Sequence, residues 1–318
     1  MSLDALAKDL RDATLDVIWR QWASLGAGAA SRSHAHAVVD PEALVLASLA
    51  LVSNEPRLAD LLHDWITRNA DLLSVQRAKN LARDHDAATR SLIGDGLQWL
   101  ASIAVDEGKD LRWRSLLTGE RTAGSPWIAP SVRSAKRRAV RVRVAEPSVL
   151  MLRLRLAFGV GVKGDLISCL LCLPDEPTTV RAIADMTGYT PAAVRRAAED
   201  LAAAQFIESR DAQPAAYRLS RTGWNALLKF DDETLSWKDW RHVFAFALAF
   251  LEWYGATAAE TRTPYVIGVQ GRELLERHRP VFERDRIALW GPHTRVEDWA
   301  SFTTTAVKAL ARWMRDSV

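Results

Sequence analysis

The sequence predicts a mainly α protein in which a tight helix pair and a small β-hairpin separate two longer helical stretches. Three observations predict this. Apolar residues recur at three- and four-residue spacing through most of 1–117 and again after 222, the period of helices buried on one side. Strand-like period-two alternation is scarce and falls between 139 and 220. Helix starts and stops are marked by Asp40-Pro41, Gly188 and Thr190-Pro191. With 318 residues, 48% hydrophobic and 25% charged, the chain has the composition of an ordinary folded protein and length enough for two or three parts.

Residues 1–117 read as an N-terminal helical bundle. The first helix spans Leu3 to about Leu25 and would bury Leu6, Leu10, Val17, Ile18 and Trp22. Asp40 and Pro41 then cap PEALVLASLALVS, whose nearly unbroken apolarity predicts a central helix. Leu58, Leu61, Leu62, Trp65 and Ile66 form the stripe of a third helix, and two more follow around 74–83 and 86–106. From 118 to 147 glycine, serine, proline and charge replace the periodic pattern, which predicts a basic linker. Arg133, Lys136, Arg137, Arg138, Arg141 and Arg143 are either its solvated face or an arm that follows a phosphate backbone. The end of that stretch, AVRVRVAE, alternates as a short strand would.

A helix is expected from about Ser148, broken at Gly159 and Gly161 before another from Lys163. Next, Val180, Ile183, Ala184 and Thr187 share one helical face, and Gly188 supplies a residue for which positive φ costs little. Thr190 and Pro191 begin a new helix at once, with Val194, Ala197, Ala198 and Leu201 inward and Ala192, Ala193, Arg195, Arg196 and Glu199 outward. Phe206-Ile207, a turn around Asp211–Pro214, and Tyr217 to Ser220 give a two-stranded hairpin. Residues 222–318 read as a C-terminal helical domain. They run through 222–230, the strongly apolar LSWKDWRHVFAFALAFLEWYG, and segments near 264–282 and 296–315.

The order of helix, tight turn, helix and hairpin over 163–221 resembles the winged helix-turn-helix of MarR- and ArsR-like bacterial regulators. The resemblance is carried by TTVRAIADMTGYTPAAVRRAAEDLAAAQFIES and covers about a fifth of the chain. The fold class expected is therefore a helical bundle, a central winged helix-turn-helix with a small β-hairpin wing over 148–221, and a C-terminal helical domain.

Charge agrees with that reading. Residues 131–221 hold 15 Lys and Arg against 9 Asp and Glu, whereas 1–130 hold 14 against 17 and 222–318 hold 13 of each. Duplex DNA attracts positive charge irrespective of sequence, so the excess belongs where a DNA reader would need it. Ala192 and Ala193 let a backbone approach a groove, and Arg195 and Arg196 reach base edges or phosphates. Arg181, Tyr189 and Thr190 are expected near phosphates, Arg210 and Arg218 on the wing, and Lys136, Arg137 and Arg138 along the backbone.

The function this implies is a sequence-specific transcriptional regulator acting as a repressor. It would bind double-stranded DNA as a homodimer and reside in the cytoplasm with no membrane partner. A small-molecule or protein effector is left open. No cofactor, metal or catalytic residue is expected. One alternative is a non-catalytic assembly protein whose helix pair meets another protein. Another is an HD-type phosphohydrolase, suggested by His36, His63-Asp64 and His85-Asp86, in which metal would activate water. Trp65-Ile66 depart from the small residues usual after that pair. Cys169 and Cys172, on the apolar run ISCLLCL, read as buried core thiols. The thirteen tryptophans read as core, with an aromatic pocket around Trp237, Trp240, Trp253 and Tyr254 as the alternative.

Overall fold

Asp40 shows how local chemistry starts the fold. Its carboxylate accepts a hydrogen bond from the Ala43 N–H at 3.1 Å, Pro41 takes the first helical position, and α2 (Pro41–Ala50) begins there. The computed structural model describes residues 2–27, 37–106, 111–117, 127, 142–210, 213–229, 235–259, 263–288, 291 and 295–317. Around α2 are α1 (Leu3–Ser24), α3 (Arg57–Asn69), α4 (Val75–Ala82) and α5 (Ala87–Asp106). The apolar stripes expected for these helices are buried, and α5 runs unbroken through Gly94 and Gly96. A Cβ on Gly96 would stand 2.7 Å from Leu49 Cδ2, so this glycine lets α5 lie close on α2.

The middle of the chain holds α6 (Leu150–Phe158), α7 (Val162–Leu171), α8 (Val180–Thr187), α9 (Pro191–Ala203) and α10 (Arg221–Leu228). With them is a three-stranded antiparallel sheet in the order β1 (Thr178–Thr179), β3 (Ala216–Arg218), β2 (Glu208–Arg210). The first strand adds to the expected hairpin: Thr178 pairs with Tyr217 and Thr179 with Ala216. Thr179 also caps α8 through its hydroxyl, so one residue ends a strand and starts a helix. The strand expected at AVRVRVAE does not form in its described part. Val142–Glu146 instead ends in a turn, with Glu146 N–H donating to Arg143 O at 3.1 Å. That turn leads into the 3-10 turn at Pro147–Val149, and among the described residues no neighbouring strand offers Val142 and Val144 a partner.

The last third contains α11 (Trp240–Ala259), α12 (Pro264–Arg277), α13 (Arg279–Arg284) and α14 (Val296–Asp316). These helices share one continuous core with those of 1–117: α14 lies along α1, and α11 packs on both α1 and α2. Trp22 Nε1 donates to Ser48 Oγ at 2.9 Å inside it, and Trp240 Nε1 donates to Val38 O at 3.2 Å. The middle segment has its own core of Leu150, Leu154, Leu166, Leu170, Val180, Ile183, Val194, Leu201, Ile207 and Tyr217. Among the described residues the protein is thus mainly helical with one small sheet. Among the described residues no helix is long and apolar enough to cross a membrane.

Candidate nucleic-acid interface

α8 and α9 meet at Gly188, which has φ +75° and accepts the left-handed turn that any side chain would strain. The site tolerates no side chain for a second reason. A Cβ there would stand 2.5 Å from Leu81 Cδ2 of α4 and 3.0 Å from the Arg241 guanidinium of α11. The turn is therefore seated against both outer helical regions. Thr190 then accepts a hydrogen bond from the Ala193 N–H at 3.3 Å and starts α9.

Beneath the turn lies a buried charge network. Arg77 of α4 donates through both terminal nitrogens to Asp40 at 2.6 Å, to Glu42 at 2.6 Å, and through Nε to the Thr187 carbonyl of α8 at 2.7 Å. Arg155 of α6 bridges Glu42 at 2.6 and 2.8 Å to Asp165 of α7 at 2.7 and 2.8 Å, and donates to Leu72 O at 2.9 Å. Tyr189, between α8 and α9, donates its hydroxyl to Asp165 Oδ2 at 2.8 Å. All five ionised side chains are buried.

Three carboxylates thus face two guanidiniums. The excess negative charge sits at helix starts, with Asp40 as the α2 cap and Asp165 in the first turn of α7, where helix dipoles favour it. Burial would push Glu42 up, but the guanidiniums of Arg155 and Arg77, with the Ser74 N–H, outweigh it and hold its pKa down at about 2. Burial works against the charge on Arg77 and Arg155 too, and their carboxylate partners reverse that and strengthen it. Burial, then the Asp165 charge, keeps the Tyr189 phenol protonated well above its usual range. Tyr189 is thus turned into the protein as part of this clamp, and its hydroxyl does not face outward toward phosphates.

The outer surface is different. Val194, Ala197, Ala198 and Leu201 are buried as expected. Ala192, Arg195, Arg196 and Glu199 are exposed and Ala193 is half-buried. Arg181 on α8 and Arg210 on β2 are exposed as well. None of Arg181, Arg195, Arg196 and Arg210 has an ion-pair partner among the described residues. Arg218 does: it sits opposite Glu208 in the strand register and binds it at 2.6 Å. Asp200 pairs with Lys163 at 2.9 Å, which removes part of the acidic character of this face. Lys136, Arg137 and Arg138 lie outside the described residues.

Beside the start of α9 is a cleft of about 740 Å³ between the end of α4, α8 and α11, lined by Asn80, Arg83, Arg181, Thr190 and Arg241 among others. Its two carboxylates are engaged. Asp84 accepts from Arg241 Nη2 at 2.9 Å, and Asp185 binds Arg284. Arg284 also binds the buried Asp239, whose other partner is His242 Nδ1 at 2.7 Å.

Several residues singled out for other chemistry are buried or held by neighbouring side chains. Cys169 and Cys172 are buried free thiols, and burial pushes Cys172 up to about 12. Trp240 stacks on Phe244 and meets Trp313 at a tilt, Trp253 donates to Gln270 at 3.1 Å, and the Tyr254 hydroxyl donates to Asp4 at 2.6 Å. His63 stands 3.6 Å from Asp64, while His85 is buried and Asp86 pairs with Arg277. Among the described residues no three His, Cys, Asp or Glu side chains converge on a common point. His36 lies outside them.

The sequence reading missed Glu42, Arg77, Arg155 and Asp165. A signal was present for Glu42, the lone charge within the otherwise apolar stretch PEALVLASLA, and a weaker one for Arg155, which with Arg153 alternates with leucines in LRLRLAF. Compared with known proteins, the chain matches no family model, no curated protein and no solved structure.

Proposed function

We propose that this chain is a sequence-specific DNA-binding transcriptional regulator, acting as a repressor and a homodimer, in which 163–221 works as a winged helix-turn-helix. The observation that carries the reading is the outer face of α9. It presents Ala192, Arg195 and Arg196 to solvent, with both guanidiniums unpaired among the described residues. Exposed cations beside small side chains on one helix suit a groove: the alanines allow close approach, and the arginines reach base edges or phosphates. β2 and β3 follow α9 in the chain, and Arg210 on β2 is exposed and unpaired among the described residues, able to meet a flanking phosphate. Two copies would read two half-sites about one helical turn apart.

The measurement is binding of the whole protein to random-sequence duplex across salt. Affinity should fall steeply and linearly in log–log form, because each neutralised phosphate releases counterions. Binding that ignores salt, or no binding, rejects the reading.

One feature favours a second reading, a protein-docking module. Leu156, Phe206 and Leu227 are exposed at 58%, 44% and 68% on α6, after α9 and on α10. The same titration separates the two, since an apolar protein-docking surface gives no steeply salt-dependent affinity for duplex.

A further inference from the structure

We infer that Arg83, at the end of α4 in the N-terminal bundle, belongs to the duplex-contacting surface and binds a backbone phosphate beside the start of α9. This rests on the DNA-binding reading above and extends it from the central segment to the bundle.

α4 is held in register with the α8–α9 turn at three points. Arg77 donates to the Thr187 carbonyl at 2.7 Å, Asn80 Nδ2 lies 3.5 Å from the Gly188 carbonyl, and Leu81 packs where a Gly188 side chain would go. Arg83 follows directly at the α4 C-cap and faces the same cleft as Arg181 and Thr190. Both Arg83 and Arg181 are exposed and lack ion-pair partners among the described residues. The carboxylates sharing the cleft, Asp84 and Asp185, are taken by Arg241 and Arg284. Asp185 stays exposed in its ion pair, so the unpaired charge facing solvent among the described residues lining the cleft is positive, and it comes from two different parts of the chain. A strand entering α9's groove would carry its phosphates past this cleft, where the helix start adds a favourable dipole. A lone solvated arginine would need no such registration.

The test is fluorescence anisotropy of the full-length protein with a labelled random-sequence duplex from about 50 to 200 mM salt. Arg83→Gln should flatten the slope of log affinity against log salt by roughly 0.9 and weaken binding roughly fivefold near 0.1 M. Its melting temperature should match that of the unmodified protein. Arg312→Gln, at an exposed position on α14, should change neither quantity. If Arg83→Gln keeps the original slope and affinity while Arg195→Gln loses both, Arg83 is outside the interface and the α9 reading stands. If the unmodified protein binds no duplex, both readings fall together.

Discussion

Arginines surround the α8–α9 pair in two settings. Arg77 and Arg155 lie under it with no water contact, and between them they make nine hydrogen bonds to carboxylates and carbonyls. Arg181, Arg195 and Arg196 lie on its outside, solvated and unpaired among the described residues. A guanidinium removed from water must satisfy its donors within the protein, and once it does, it fixes the geometry of everything it touches. A guanidinium left in water fixes nothing and stays available for an anion that arrives later. The same side chain therefore positions on one side of the helix pair and would recognise on the other.

The largest expected effect comes from breaking the inner set. Arg155→Met leaves Glu42 and Asp165 buried without their shared cation, and should lower unfolding free energy by about 3–5 kcal/mol in chemical denaturation. Removing one exposed arginine should cost well under about 1 kcal/mol. Equal losses would erase the distinction between the two sides.

Gly188→Ala should come next, at about 1–3 kcal/mol, since it places a side chain at φ +75° and drives a methyl toward Leu81. A drop in duplex affinity larger than the fraction of unfolded protein explains would show that the seating of the turn matters to the outer face.

Stability should also respond to pH. His85 is buried and His278 half-buried, and loss of water around them lowers both from the ordinary value near 6.5 to about 4. As pH falls from 6.5 toward 4 the unfolded chain takes up protons that the folded one refuses, so stability should decline across that window. Glu42, held at about 2 against an ordinary 4.5, contributes stability above 4.5 that is lost as pH falls toward 2. Thermal melts between pH 7 and 3 should show the histidine stage first, and His278→Asn should remove part of it.

Much of the local structure was legible in the sequence because its causes are local. Asp40-Pro41, Gly188 and Thr190-Pro191 act within a few residues of themselves, and each appears where its chemistry places it. The inward faces of α8 and α9 follow from period alone. What stayed hidden depends on partners far away in the chain. Arg155 meets Glu42 across 113 positions, and Arg77 meets Thr187 across 110. The strand Thr178–Thr179 is too short to show alternation and exists because Tyr217 and Ala216 pair with it. Tyr189 shows the limit most plainly: its place before α9 suggests an outward role, yet Asp165 draws its hydroxyl inward. Nor does any pattern within 1–117 reveal that α1 completes its core with α14.

We propose that the inner arginines seat the α8–α9 turn while the outer ones meet duplex. The most direct measurement is duplex affinity and melting temperature for Arg195→Ala combined with Arg196→Ala. We expect affinity to fall at least tenfold, about 1.4 kcal/mol or more, with the melting temperature unchanged. Unaltered affinity in a folded double variant would contradict the account.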